Sequence, residues 1–143
     1  MPMQPAIVTV GTLPIDDRLR SLARSFGWWL FRVAEAHQVQ AAGNAVDVVA
    51  ILFEPREVAS SWQEALKIVR SAAPRALPVV CHRFSDWLPW HELAAAGAFH
   101  ELWLPFDVRE VRQSWGFVQE ARLRKAARPM FLPRQKKQDT FVA

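Results

Sequence analysis

The chain has 143 residues, 51% hydrophobic and 22% charged, with a formal charge of +4 and a single cysteine. That is ordinary globular composition and enough length for one domain with a proper core. It excludes an internal disulfide and a cysteine metal cluster, and no stretch reaches the roughly 18 apolar residues of a membrane span. Met1-Pro2-Met3-Gln4-Pro5 has no basic region of the kind that opens a signal peptide, so the expected compartment is the cytoplasm.

The positive charge is local. Residues 124–143 hold Arg124, Lys125, Arg128, Arg134, Lys136 and Lys137 against Asp139 alone, a net +5, which leaves −1 for the other 123 residues. The division expected is therefore a nearly neutral domain over residues 1–125 and a basic, proline-containing tail over 126–143, where Pro129 and Pro133 break helical continuity. Such a tail is a solvated terminus or linker, or a charge-driven contact for nucleic acid or acidic lipid.

In chain order, Ala6–Val10 is a short buried-type strand, and Asp16–Phe26 follows with Leu19, Leu22, Ala23 and Phe26 at helical spacing. Asp16 and Asp17 sit where negative charge favours a helix N-terminus. Trp29–Ala34 reads as a second strand and Ala36–Ala42 as a short helix stopped at Gly43-Asn44. Val46–Phe53 is nearly all apolar, the pattern of a central parallel strand covered on both faces. Ser60–Ala73 is a helix capped by Ser60 or Ser61, with Trp62, Ala65, Leu66, Val69 and Ala72 along one side.

Leu77–Cys81 is a fourth strand with Pro78 at its start. Trp87–Ala96 is a helix capped by Ser85 or Asp86, and Glu101–Leu104 a fifth strand. Val108–Arg122 closes the set, with Val108, Val111, Trp115 and Val118 on one stripe. Strand and helix alternate five times, which argues for a parallel sheet with helices on both faces.

Gly97-Ala98-Phe99-His100-Glu101-Leu102-Trp103-Leu104-Pro105-Phe106-Asp107 resembles the fifth-strand segment of response-regulator receiver domains, with Leu104 in the place of the family's lysine. Leu77-Pro78-Val79-Val80-Cys81-His82-Arg83-Phe84 is similar to the family's fourth strand, and Asp47-Val48-Val49-Ala50-Ile51-Leu52 to its third. The resemblance covers residues 5–124. It implies a CheY-like, flavodoxin-like (βα)5 three-layer sandwich with a five-stranded parallel sheet in the order 2-1-3-4-5.

The chemistry of the family does not carry over. Leu52 stands at the phosphoacceptor aspartate, Gly11 and Thr12 at the acidic metal-binding pair, Arg83 at the switching threonine or serine, and Leu104 at the lysine. A phosphoryl group needs a carboxylate to receive it and cationic partners to hold it. The expectation is a pseudo-receiver that is not an enzyme and uses neither cofactor nor magnesium-dependent phosphorylation. Pro105 matches a family proline whose peptide bond is commonly cis.

Glu54 is the carboxylate nearest to the lost aspartate, and Arg83 projects from the neighbouring strand end. Two readings stand open: an ion pair filling the old phosphate site, or two solvated side chains at the sheet edge. In receivers the fourth helix, fifth strand and fifth helix form the docking surface, so Trp87, Trp90, His91, Trp103, Phe106 and Phe117 are the candidate interface. Trp62 and Trp115 are expected in the core, and seven tryptophans are too many for it to hold. His37, His82, His91 and His100 lack metal-ligand spacing, and Cys81 lies inside a buried strand.

The functional expectation is a protein–protein docking or homodimerisation module in bacterial signalling or transcriptional control. The first alternative is a small-molecule sensor using a vacated apolar pocket lined by Leu13, Leu52, Leu104 and Trp103. A second is nucleic-acid contact through the basic tail.

Overall fold

The computed structural model describes residues 3–83 and 88–127. Five parallel strands form one sheet: β1 (Pro5–Val10), β2 (Trp29–Val33), β3 (Asp47–Phe53), β4 (Leu77–Arg83) and β5 (His100–Leu104), in spatial order β2-β1-β3-β4-β5. The helices are α1 (Asp17–Ser25), α2 (Gln38–Ala42), α3 (Pro55–Val58), α4 (Trp62–Ala72), α5 (Trp90–Ala95) and α6 (Val108–Ala127). This is the flavodoxin-like arrangement that the sequence implied.

The burial of the inner strands explains their composition. From Ala6 to Val10 and from Val48 to Phe53 every residue is buried, because helices cover both faces. Side chains alternate between two cores. On one face Leu19, Leu22 and Ala23 of α1 and Val111, Trp115 and Val118 of α6 pack on Ile7, Leu52, Val79 and Leu102. On the other, α2, α4 and α5 supply Val39, Leu66, Val69 and Leu93 against Val8, Ile51, Phe53 and Val80. Trp28 stacks on Phe26 at 4.6 Å between ring centroids and joins the α1–α6 core, while Trp29, one residue on, is 58% exposed on the edge strand.

Helix limits follow local chemistry. Asp16 is the N-cap of α1, its Oδ1 accepting from the Leu19 amide at 3.0 Å. That hydrogen bond, ahead of the Arg18 charge, holds the Asp16 carboxyl below the usual range. Ser61 rather than Ser60 caps α4, through the Glu64 amide at 3.2 Å. The helix expected from Trp87 starts at Trp90 after Pro89, because the residue before a proline resists helical geometry. The proposed caps Ser85 and Asp86 lie outside the described residues.

Two differences from expectation concern whole segments. α3 is a single turn with Pro55 at its first position, too short to show a period in the sequence. α6 continues past Arg122 to Ala127, since Leu123, Arg124, Lys125 and the two alanines favour a helix and basic residues suit its C-terminus. Its last turns leave the core: Val118 is fully buried but Leu123 is 66% exposed. The helix runs two residues past the boundary expected at 125, and the tail beyond 127 lies outside the described residues.

Gly97 links α5 to β5 at φ +113, and a Cβ there would lie 2.8 Å from the Arg70 guanidinium, which donates to Ala96 O at 2.9 Å. The Gly97→Ala variant is expected to lose about 1–3 kcal/mol of stability in urea melts, and an unchanged midpoint would show the turn to be permissive.

Candidate functional site

In open α/β sheets the ligand crevice lies beyond the carboxyl ends of the strands. There β1 is followed by Gly11, with φ +80 and an amide that donates to Val33 O at 2.9 Å. The loop that follows is held from two sides. The Arg32 guanidinium donates to Leu13 O at 2.6 Å, and Glu57 of α3 accepts from the Thr12 amide at 3.1 Å and from the Thr12 hydroxyl. A Cβ at Gly11 would lie 2.5 Å from Glu57 Oε1, so a side chain there would displace the carboxylate as well as strain the backbone at φ +80. Gly11 and Thr12 thus receive a carboxylate instead of presenting one.

Beneath the loop the edge is apolar. Leu13, Leu52 and Leu104 are 1%, 1% and 6% exposed, and all belong to the α1–α6 core, with Phe106 packed against it. Leu52 lies between Thr9 and Val79 in the strand register. These leucines are packed core rather than the walls of an open pocket, which corrects the expectation of a vacated apolar cavity. Trp103, named as a fourth wall, lies on the other side of the sheet. The Leu104–Pro105 peptide bond is cis, as the resemblance implied.

Glu54 and Arg83 come together. The Glu54 side chain is 6% exposed, with Oε2 3.5 Å from Arg83 Nε and 3.4 Å from Arg56 Nε. The reading of two solvated groups fails for Glu54, whose position at the end of β3 under α3 buries it. It holds in part for Arg83, whose side chain is 51% exposed. The carboxylate is flanked by two guanidinium groups, of which the sequence suggested one.

Further along the edge lies a group that sequence reasoning missed. His82 of β4 is 2% exposed, and its Nε2 sits 2.9 Å from Glu101 Oε1 of β5. The imidazole stacks on the Trp103 indole, 4.0 Å between centroids and 30° between planes. His82 and Trp103 are register partners, and Glu101 is two residues back on the same strand face. The Trp103 amide donates to Glu110 Oε1 of α6 at 3.2 Å, so a side chain already engages this edge amide.

The candidate interface residues divide. Trp103 and Phe117 are 38% and 42% exposed, and His91 is exposed as well. Phe117 lies beside His100, 5.5 Å between rings. Trp90 and Phe106 are half-buried and pack against the two cores, as does Trp62, so they support the edge more than they present it. Trp87 lies outside the described residues. Trp115 is fully buried, as expected.

Among the described residues no three His, Cys, Asp or Glu side chains stand together in a way that could hold a metal ion. Cys81 is fully buried, and desolvation pushes its thiol pKa up, away from the reactive thiolate. No helix among the described residues is long and apolar enough to cross a membrane.

Known structures share this architecture at low sequence identity. The receiver domain of an HD domain-containing protein from Pseudomonas fluorescens Pf-5 superposes with a TM-score of 0.64 at 17% identity, over 90% of this chain and 96% of that one. A receiver domain from a putative LuxO repressor protein of Vibrio parahaemolyticus gives 0.64 at 12%, over 87% and 97%. A putative pilus assembly protein, CpaE, from Burkholderia thailandensis E264 gives 0.58 at 15%, over 82% and 99%. The fold is therefore that of receiver domains. No family profile matches the chain. No curated protein matches it either.

Two experiments test the site. Leu52→Asp places an unpaired carboxylate among packed leucines and is expected to cost about 3 kcal/mol or more in a urea melt; a stable variant would show the edge to be open to water. Arg83→Ala, Glu54→Ala and the double variant should give a coupling of about 1 kcal/mol, limited by solvent around the arginine. Additive losses would mean that the two charges do not interact.

Proposed function

We propose that this chain is a pseudo-receiver: a receiver-fold domain of bacterial signalling or transcriptional control that works without aspartyl phosphorylation and is not an enzyme. The observation that carries this reading is the carboxyl edge of the sheet. Leucines stand there at the acceptor and lysine positions, packed and nearly dry, and Glu57 is seated on the loop where the receiver family has its acidic pair.

The role left to such a domain is contact. The edge formed by α5, β5 and α6 presents Trp103, Phe117 and His91, and exposed aromatic side chains are frequent anchors of protein interfaces. The hydrogen bond from the Trp103 amide to Glu110 makes an added β-strand a poor way to use this edge, so docking proceeds through side chains. The first partner is a second copy of the chain. Size-exclusion chromatography with light scattering should show a dimer at high concentration that is lost in the Trp103→Ser/Phe117→Ser variant. A monomer at every concentration, or a dimer indifferent to both substitutions, would remove this surface from the account.

A further inference from the structure

The sheet has two edges, and they are not alike. At β5 the Trp103 amide is engaged by Glu110. At β2 the Val33 backbone faces β1, since its carbonyl accepts from the Gly11 amide. Backbone groups alternate in direction along a strand, so Trp29 and Phe31 also face β1 while Leu30 and Arg32 point outward. Among the described residues nothing bonds these outward backbone groups. The strand also lacks the usual guards. Trp29-Leu30-Phe31-Arg32-Val33 contains no proline or lysine and pairs with β1 without a bulge. Its one charge, the Arg32 guanidinium, is drawn back to Leu13 O.

The open stretch is short, and its shortness selects what can pair with it. The amides on either side are taken, that of Trp28 by Ala23 O and that of Ala34 by Gln38 Oε1. A longer foreign strand would leave its own outer groups unpaired beyond Leu30 and Arg32. A second copy of β2 has the same two residues open and loses nothing outside them. An antiparallel two-fold pair must set outward residues opposite one another, which leaves three registers. Centred on Arg32, it places two arginines face to face, which is unfavourable. Centred on Leu30, it turns Arg32 toward Trp28, whose amide is already used.

Centred on Phe31, the pair sets Leu30 of each copy opposite Arg32 of the other, and every open backbone group finds a partner. Phe31 then meets Phe31, and the exposed Trp29 meets Val33, on the face that packs against α2 and α4. These are non-hydrogen-bonded pairs, where side chains come closest. We infer that β2 pairs antiparallel with β2 of a second copy about Phe31, joining two five-stranded sheets into one. Two short strands bury far less than the roughly 1,200 Å² of a stable interface, so the pairing needs concentrated protein. β2 and β5 lie at opposite ends of the sheet, so the inference does not rest on the docking surface proposed above.

Amide hydrogen exchange in the full chain tests this, compared between about 50 µM and about 1 mM protein. The Leu30 and Arg32 amides should slow by about threefold or more at the higher concentration. Trp29→Lys, at a position outside both cores, should abolish that slowing, while Trp103→Ser with Phe117→Ser should leave it intact. Under mild oxidation Phe31→Cys should cross-link two copies. Trp29→Cys should not, because its two sulfurs would be held about 14 Å apart in this register, beyond the reach of a disulfide. Cys81 is buried and takes no part. Exchange at Leu30 and Arg32 that ignores concentration would overturn the pairing, whether fast, from an open edge, or slow, from cover within the same chain. Cross-linking at position 29 as readily as at 31 would overturn the register. A dimer that Trp103→Ser with Phe117→Ser removes, without protection at β2, would sink this inference and spare the docking surface; the converse would do the reverse.

Discussion

The packing of Leu13, Leu52 and Leu104 at the carboxyl ends of the strands is the constraint on which the rest of the site depends. A receiver keeps that place wet and charged, because a carboxylate there must accept a phosphoryl group and a cation must hold it. Three leucines remove the water and with it any easy place for an unpaired charge. The charges nearby are accordingly displaced to the rim. Glu57 is seated on the Thr12 amide, and Glu54 is set between Arg56 and Arg83. Each carboxylate already has a donor or a cation of its own.

These contacts tie together the loops at the carboxyl edge. The β1–α1 loop is bound to β2 through Arg32 and to α3 through Glu57, while the ends of β3 and β4 are joined by Glu54 and Arg83. The aromatic edge at β5 is supported from below by the buried His82, paired with Glu101 and stacked on Trp103. The docking proposed above agrees with both features.

Most of the fold was legible in the sequence because parallel strands buried on two faces must be apolar along their whole length, as β1 and β3 are. The placement of Gly11, Leu52, Arg83 and Leu104 at the carboxyl edge was legible for a similar reason: each sits at a strand end fixed by the apolar run before it. What escaped was set by register or by loop geometry. His82 meets Glu101 and Trp103 only because β4 and β5 pair with that alignment, and Glu57 reaches Thr12 only across a single-turn helix that shows no period. The length of α6 was missed because its last turns have helix-forming residues but no apolar stripe.

The account stands most directly on whether any carboxylate of this domain accepts a phosphoryl group. Intact-mass measurement after incubation with acetyl phosphate and magnesium addresses that question in one step. The account predicts a mass unchanged from the untreated protein at every time point. A gain of one phosphoryl group that hydroxylamine removes, mapped to Glu54, Glu57 or a neighbouring carboxylate, would contradict it.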